Sequence, residues 1–142
     1  MIPSSTHIAI KTYSFNREEK LKSRKMIETL FREGKAFSIF PYRVIFMPAS
    51  LTTDKYPVQA GFSVSSRKFP RAVDRNRIKR LGRETYRLHK QGLYDALLAN
   101  SRQMAVFFIY IDKKIPDFTS LQPKFSVILE KLAREAGRKE QP

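Results

Sequence analysis

The segment 67–90 constrains the chain most, because it separates charge from apolar surface at the spacing of a helix. It contains ten Lys or Arg residues and two acids, a net charge of +8 out of +15 for the whole chain. At about 100° per residue, neutral residues collect on one face and polar or basic residues on the other. The first set is Ile78, Leu81, Thr85 and Leu88, and the second set is Arg75, Asn76, Lys79, Arg80, Arg83 and Arg87. This pattern predicts a helix with one buried face and one face suited to a polyphosphate backbone.

The basic face repeats one sign of charge at intervals of four residues, beginning at Arg75 and ending at Arg87. Each like-charged pair at that spacing destabilises an isolated helix by a few tenths of a kcal/mol, whereas a solvated helix usually mixes both signs. A polyanionic partner therefore explains the pattern better. Arg77 lies at the flank, where pairing with Glu84 or another acid is an alternative to an RNA contact. The residues that we predict to bind RNA are Arg67, Lys68, Arg71, Arg75, Asn76, Arg77, Lys79, Arg80, Arg83 and Arg87.

Composition narrows the functional class further. The chain has no Cys, which excludes disulfides, thiolate zinc sites and cysteine nucleophiles and agrees with a reducing compartment. A pI near 10.3 indicates a nucleic-acid or an anionic membrane partner. Membrane binding would need the apolar face of the basic helix to be exposed, and we expect that face to be buried. We find neither a signal peptide nor a run of roughly 18–20 apolar residues, so we expect a cytoplasmic protein.

Hydrophobic spacing divides the chain into helices at 24–32, 72–89, 93–99 and 119–136 and strands at 36–40, 42–47, 58–65 and 104–111. Ser23 is expected to cap the first helix, and Gly34 to end it in the left-handed conformation. With the adjacent helices 72–89 and 93–99 counted as one helical segment, the order is α-β-β-β-α-β-α. It predicts an α/β architecture, an α+β two-layer sandwich with a parallel crossover between the third and fourth strands. We assign 1–22 to a flexible N-terminal arm, 23–137 to a single RNA-binding domain and 138–142 to a C-terminal tail.

The segment 61–87 resembles the signature of the bacterial ribonuclease P protein component. That pattern is a strand ending in Gly-x-Ser-Val-Ser and two basic residues, a short link to Ala-Val, then Arg-Asn-Arg-x-Lys-Arg and Arg-Glu. The matching residues are Gly61, Ser63, Val64, Ser65, Arg67, Lys68, Ala72, Val73, Arg75, Asn76, Arg77, Lys79, Arg80, Arg83 and Glu84. Weaker resemblance extends over about 21–132.

The resemblance implies a fold and a division of labour. Crossovers between parallel strands are right-handed in nearly all proteins, but this family, whose fold is similar to a ribosomal-protein domain, has a left-handed one. The implied partners are the ribonuclease P RNA subunit, which is the ribozyme, and precursor tRNA. The protein assists removal of the 5′ leader from that tRNA. Mg²⁺ is expected to be held mainly by the RNA, and none tightly by the protein alone.

The resemblance also implies a cleft for the single-stranded leader, between the first helix and the sheet. The matching positions are Ile27, Phe31, Phe46, Ser63 and Ser65. Aromatic faces stack on unpaired bases with little sequence preference. The family often has an aromatic residue where this chain has Ile27, so Phe31 is the better candidate for stacking. The alternative is that Phe31 and Phe46 belong to the core.

Protein catalysis would need acid and base groups in place. The chain has two histidines, His7 in the predicted arm and His89 at the end of the basic helix, and its Asp and Glu residues do not cluster as metal-ligand pairs in apolar surroundings. We therefore predict no catalytic and no metal-binding residues in this chain. Two rival functions remain open: a ribosomal or other structural RNA-binding protein that touches no substrate, and a nuclease that works without an RNA subunit.

Overall fold

The computed structural model describes residues 15–51 and 53–137, which form a four-stranded sheet with helices on both faces. The helices are α1 (Arg24–Glu33), α2 (Ala72–His89), α3 (Gln91–Ala99) and α4 (Phe118–Ala136). The strands are β1 (Lys35–Ile39), β2 (Tyr42–Pro48), β3 (Val58–Val64) and β4 (Met104–Tyr110), and a short 3-10 turn, Arg17–Glu19, precedes α1. Each predicted helix and strand is present, with ends that differ by no more than two residues.

The strand order across the sheet is β1-β2-β4-β3. Strand β2 is antiparallel to both of its neighbours, whereas β3 and β4 are parallel and are joined through α2 and α3. Parallel neighbours need such a crossover, because a tight turn reverses the direction of the chain and so can join only antiparallel strands. The predicted α/β architecture is therefore confirmed. The left hand of the crossover stays an implication of the resemblance.

Helices α2, α3 and α4 cover one face of the sheet and enclose the main core. Val44 of β2 and Phe108 of β4 are buried there, together with Ile78 of α2 and Phe125 of α4. Burial of such side chains contributes about 1.5–3 kcal/mol each relative to exposure. These helices and the sheet are the two layers that we predicted, and α1 adds a single helix on the opposite face.

Helix α1 packs by itself on the opposite face of the sheet. Ser23 Oγ accepts a hydrogen bond from Met26 N at 3.1 Å, so the predicted cap is confirmed. Leu30 is buried with Ile45 of β2. Gly34 follows α1 with a φ of −73°, so the expected left-handed conformation is wrong. A small residue is needed there for another reason, because a Cβ on Gly34 would come within 2.9 Å of Ile45 Cγ2.

The buried face of α2 differs in part from the predicted one. Ile78 is buried as expected, but Leu88 is 37% exposed, so its assignment to the core is wrong. Gly82 and Tyr86 complete the buried face instead. Because Gly82 has no side chain, α2 approaches the sheet closely: a Cβ at this position would lie 2.9 Å from the hydroxyl of Tyr42.

Residues 15–21, which we assigned to the arm, pack along the edge of β3. Lys20 forms a parallel bridge with Ala60, and Leu21 N donates a hydrogen bond to Ala60 O at 3.0 Å. Glu19 is fully buried. The segment 15–21 therefore packs on the domain that we predicted to begin at residue 23. The rest of the predicted arm, 1–14, and the predicted tail, 138–142, lie outside the described residues.

A buried ion pair holds this segment in place. Lys90 Nζ pairs with Glu19 Oε1, and each residue is at most 1% exposed. Tyr94 Oη donates to the same oxygen at 2.6 Å, and Asn16 N donates to Glu19 Oε2 at 2.9 Å. Burial lowers the pKa of Lys90, while the hydrogen bond and charge of Glu19 act in the opposite direction. No local pattern in the sequence indicates this pair, because its members are 71 positions apart.

Candidate nucleic-acid interface

The outer face of α2 presents most of the predicted basic residues to solvent. Asn76, Arg77 and Arg80 are exposed, and Lys79 and Arg83 are half-buried. Within residues 15–51 and 53–137, none of these four cations has a carboxylate partner. They can therefore meet a polyanion without first breaking an ion pair. Because their charges repel one another along the helix, a bound phosphate backbone would also stabilise α2.

The last basic position on this face is already paired. Arg87 Nη2 forms an ion pair with Glu84 Oε1, three residues earlier on the same helix. Glu84 is therefore the partner of Arg87 and not of Arg77, which was the alternative that we left open. A partly exposed pair of this kind contributes little to stability. It does reduce the positive charge that the end of α2 presents to an RNA.

Arg75 has a structural role that its place in the sequence pattern did not predict. Its Nη1 lies 2.8 Å from the carbonyl oxygens of both Phe69 and Pro70, and donates to each. The guanidinium therefore ties the link before α2 to the first turn of the helix. Contact between Arg75 and RNA stays a prediction.

The link between β3 and α2 continues the basic surface. Arg67, Lys68 and Arg71 are all exposed. The backbone here is held by Ser65, whose Oγ accepts from the amides of Arg67 at 3.1 Å and Lys68 at 3.3 Å. Lys68 Nζ also donates to Ile111 O at 2.7 Å, and Arg71 lies 3.8 Å from Asp74 in an exposed pair. The link thus has a defined shape at the point where it leaves the sheet.

A second surface lies between α1 and the sheet, and it contains four of the five predicted cleft residues. Phe31 on α1 is 51% exposed, although its ring contacts that of Phe107 edge to face at 5.3 Å. Ile27 is half-buried one helical turn earlier. Ser63 is half-buried on β3, and Ser65 just after that strand. An exposed ring beside small polar residues is suited to an unstacked base.

The assignment of Phe46 to this cleft is wrong. Phe46 is only 5% exposed and belongs to the main core on the opposite face of the sheet, where its ring contacts that of Phe37 at 5.8 Å. Side chains alternate between the two faces along a strand. Phe46 therefore shares the face of Val44, whereas Ile45 faces α1. For Phe46, the alternative that it is a core residue is correct.

Phe107 is an aromatic residue of this surface that the sequence pattern did not single out. It pairs with Gly61 across the β3–β4 ladder and lies on the side of α1, as does Ile109. A Cβ on Gly61 would come within 2.6 Å of Phe107 Cε1, so the ring lies directly over the glycine. Strand alternation could have identified this residue if the register had been known. Gly61 and Ser63 share one face of β3, so their partners in β4, Phe107 and Ile109, lie on the same face of the sheet. The uniformly apolar run of β4 concealed it.

The described part of the chain contains no group of three or more His, Cys, Asp or Glu residues that could hold a metal ion. His89 Nε2 is hydrogen-bonded to Gln122 Oε1 on α4, and His7 lies outside the described residues. Among those residues, no helix is both long and apolar enough to cross a membrane. That catalysis resides elsewhere stays a prediction.

Comparison with known proteins matches this chain to one family. The Ribonuclease P family model matches residues 15–133. The ribonuclease P protein component of Porphyromonas gingivalis is 36% identical over 122 residues, which are 86% of this chain and 88% of that protein. The corresponding protein of Chlorobium phaeobacteroides is 33% identical over 130 residues, covering 84% and 88% of the two chains.

Solved structures agree on the fold. The RNase P protein of Thermotoga maritima, solved in complex with 1-(4-fluorophenyl)-2-thiourea, superposes with a TM-score of 0.53 at 25% identity, covering 85% of this chain and all of that one. The RNase P protein of Staphylococcus aureus gives 0.55 at 19% identity, covering 83% and 94% of the two chains. Because the family match spans nearly all the described residues and two bacterial relatives align over most of their length, this chain belongs to the ribonuclease P protein family.

Proposed function

We propose that this subunit of ribonuclease P binds the catalytic RNA through the outer face of α2 and the preceding link, and holds the 5′ leader of precursor tRNA in the cleft beside α1. One observation carries the proposal: the two surfaces are continuous. Ser65 lies at the end of the cleft, and its hydroxyl accepts hydrogen bonds from the amides of Arg67 and Lys68, where the basic link begins. The proposed RNA-docking surface and the proposed single-strand cleft would thus meet at one corner of the sheet.

The chemistry that we propose is metal-dependent hydrolysis of a phosphodiester, with the active site in the RNA subunit. Mg²⁺ would be held mainly by RNA phosphates. The cations of α2 would lower the repulsion between two closely apposed RNAs, since Lys and Arg replace the counterions that each phosphate backbone otherwise condenses. We place the assembly in the cytoplasm, where a protein without cysteine needs no oxidising environment.

Reconstitution tests this function. The chain is added to a bacterial ribonuclease P RNA at low Mg²⁺ concentration, and removal of the leader from precursor tRNA is measured. We expect the protein to stimulate cleavage, and the stimulation to fall for Arg80→Ala but not for Arg134→Ala, which removes the same charge from an exposed position of α4 outside both proposed surfaces. Absence of stimulation by the unmodified chain would rule out the proposal.

The two rival functions predict other results. A structural RNA-binding protein would bind RNA without affecting leader removal, and the exposed ring of Phe31 argues against it, because a docking surface for folded RNA needs phosphate contacts rather than a stacking platform. A self-sufficient nuclease would cleave precursor tRNA without the RNA subunit. Incubating the chain alone with the substrate therefore distinguishes that function from ours.

A further inference from the structure

Strand β2 contains one arginine that neither the fold nor the proposed function uses. Arg43 is exposed, although it stands between buried Tyr42 and buried Val44 in a central strand of the sheet. In the described ranges it has no carboxylate within ion-pair distance. A long charged side chain on the face of a central strand, without a partner of opposite charge, indicates a ligand that supplies the negative charge.

The sheet register places Arg43 on the floor of the cleft. It pairs with Ser38 of β1 on one side and with Ile109 of β4 on the other, and Ile109 in turn pairs with Ser63 of β3. Paired residues in neighbouring strands share a face of the sheet. Because Ile109 packs on the side of α1, the whole row faces the cleft. Strand spacing separates Arg43 from Ser63 by about 10 Å.

This row lies just beyond the end of α1. The preceding row, Ile45 and Phe107, is covered by the last turn of the helix, where Leu30 is buried and the ring of Phe31 meets that of Phe107. The chain then leaves α1 at Gly34, directly above Ile45. Arg43 is therefore one row from the two aromatic rings. An aromatic platform beside a cation is the usual arrangement for binding a single-stranded nucleic acid.

We propose that Arg43 is a phosphate-binding residue for the single-stranded RNA that lies in this cleft, contacting the phosphate next to a base that stacks on Phe31. The inference rests on the proposed leader-binding function and adds a residue to it. A guanidinium is suited to this place, because it can donate two parallel hydrogen bonds to one phosphate. The contact is separate from the basic face of α2, which lies on the other side of the sheet.

A structural role for Arg43 is the alternative, since the C-terminus of α1 ends one row away and a helix C-terminus favours nearby cations. The two roles differ in what they affect. Support of α1 would change the thermal stability of the free protein and would be independent of the substrate. A phosphate contact would change affinity only for RNA that is long enough to reach the row of Arg43.

The test compares dissociation constants of the reconstituted holoenzyme for two precursor tRNAs at several salt concentrations. One carries a leader of about ten nucleotides, long enough for a single-strand site, and the other a leader of one nucleotide. Losing one contact to a single strand lowers the salt slope by about 0.7, which is a factor of about five in affinity at 0.1 M salt. We expect Arg43→Ala to show that loss for the long leader only. Arg43→Lys should keep the salt slope, because the charge remains, but lose part of the affinity with the paired hydrogen bonds. Arg134→Ala, the matched control, should match the unmodified protein.

Four outcomes would overturn the inference. Equal loss for both leaders, or weaker binding of the RNA subunit itself, would assign Arg43 to another surface. A lower thermal midpoint with an unchanged preference for the long leader would assign it to the support of α1, and Arg43→Lys retains a well-folded protein for this comparison. If the unmodified holoenzyme does not distinguish the two leaders, the proposed leader cleft fails as well. In the first three cases that cleft would stand without Arg43.

Discussion

Two glycines on neighbouring helices differ in what a side chain would meet. At Gly82, in the buried face of α2, a Cβ would lie 2.9 Å from the hydroxyl of Tyr42 and 3.2 Å from Phe62 Cδ2. At Gly92, in α3, a Cβ would meet no atom from elsewhere in the fold within 4 Å. Both residues lower helix propensity by roughly 1 kcal/mol relative to alanine. The structure therefore explains Gly82 and leaves Gly92 without a packing reason.

We expect Gly92→Ala to raise the free energy of unfolding by about 0.5–1 kcal/mol, because it gains helix propensity without a clash. Gly82→Ala should lower it by about 1–2 kcal/mol, since overpacking outweighs the same gain. Urea denaturation of the two variants and the unmodified protein measures both effects. Stabilisation by Gly82→Ala would show that α2 can move away from the sheet at little cost.

The hydroxyl that Gly82 accommodates is itself costly. Tyr42 Oη is the only buried side-chain polar atom of the described residues that lacks a hydrogen-bond partner, and burial raises the pKa of Tyr42 well above its usual value. We expect Tyr42→Phe to be neutral or to stabilise by about 1 kcal/mol, because an unpaired buried hydroxyl is removed. The cost of Gly82→Ala should also be smaller in the Tyr42→Phe background. A double-mutant cycle tests both statements, and strictly additive effects would contradict the second one.

At the scale of elements, the cations at the two ends of α2 make contacts within the protein, whereas those in its middle face solvent without an acidic partner among the residues that the structure describes. Its first turn is tied to the link by Arg75, and its last turn carries the Arg87–Glu84 pair. The unpaired cations lie between them. Helix α4 shows another use of a helix end: Asp117 accepts a hydrogen bond from Ser120 N at 2.7 Å, and that bond holds the pKa of Asp117 below its usual value.

The unpaired cations should dominate RNA affinity. Arg80→Ala and Arg83→Ala should each weaken binding of the RNA subunit and reduce the salt slope by about one. Arg87→Ala should have a smaller effect, because its charge is partly neutralised by Glu84 in the free protein. Binding isotherms over a range of salt concentrations measure the slopes. A slope change for Arg87→Ala as large as that for Arg80→Ala would mean that RNA displaces Glu84.

The cap of α4 makes a pH-dependent contribution. Because the pKa of Asp117 is lower in the folded protein than its ordinary 3.8, the charged carboxylate stabilises the fold above that value. The contribution is lost as pH falls through the folded pKa. Asp117→Asn should therefore have a lower urea midpoint than the unmodified protein at neutral pH, and the two midpoints should converge as the pH falls below the folded pKa of Asp117. A difference that persists in acid would trace the effect to packing instead.

Local sequence patterns are sufficient to predict most of these helices and one of their caps. Helical spacing predicted α1, α2 and α4, and Ser23 was recognised as a cap because its partner amide is three residues away. Phe46 and Leu88 were misplaced because their environments depend on distant strands and helices. Which face of β2 meets α1 depends on the register with β4, and that register joins residues 56 to 68 positions apart, for example Ile45 and Phe107.

At the scale of the whole molecule, the Glu19–Lys90 pair joins the N-terminal segment to the junction of α2 and α3. It holds the segment whose Lys20 and Leu21 contact Ala60, and that segment covers part of the edge of β3, where backbone groups would otherwise be unpaired. Nothing in the sequence predicts this pair. In the sequence, Lys90 is one more cation at the end of a basic helix, and only the fold places the carboxylate of Glu19 beside it.

Breaking one half of the pair should be more harmful than replacing both. Glu19→Gln or Lys90→Met leaves one charge buried without its partner, and each should lower the free energy of unfolding by about 3–5 kcal/mol. The double variant should recover a large part of the loss, because neither charge remains. Chemical denaturation of the three variants gives the coupling energy, and no recovery in the double variant would assign the cost to lost packing.

The same pair also sets an order of events during translation. Residue 19 emerges from the ribosome long before residue 90, so its carboxylate stays hydrated until α2 and the start of α3 have been synthesised. Residues 15–21 can therefore dock on the edge of β3 only late, after the segment that forms α2 has been synthesised. Released chains that end before β4 should be cut quickly by a protease near Arg17 and Lys20, and protection should appear only in chains that extend through α4, because β4 is the only strand of the described sheet that pairs with β3.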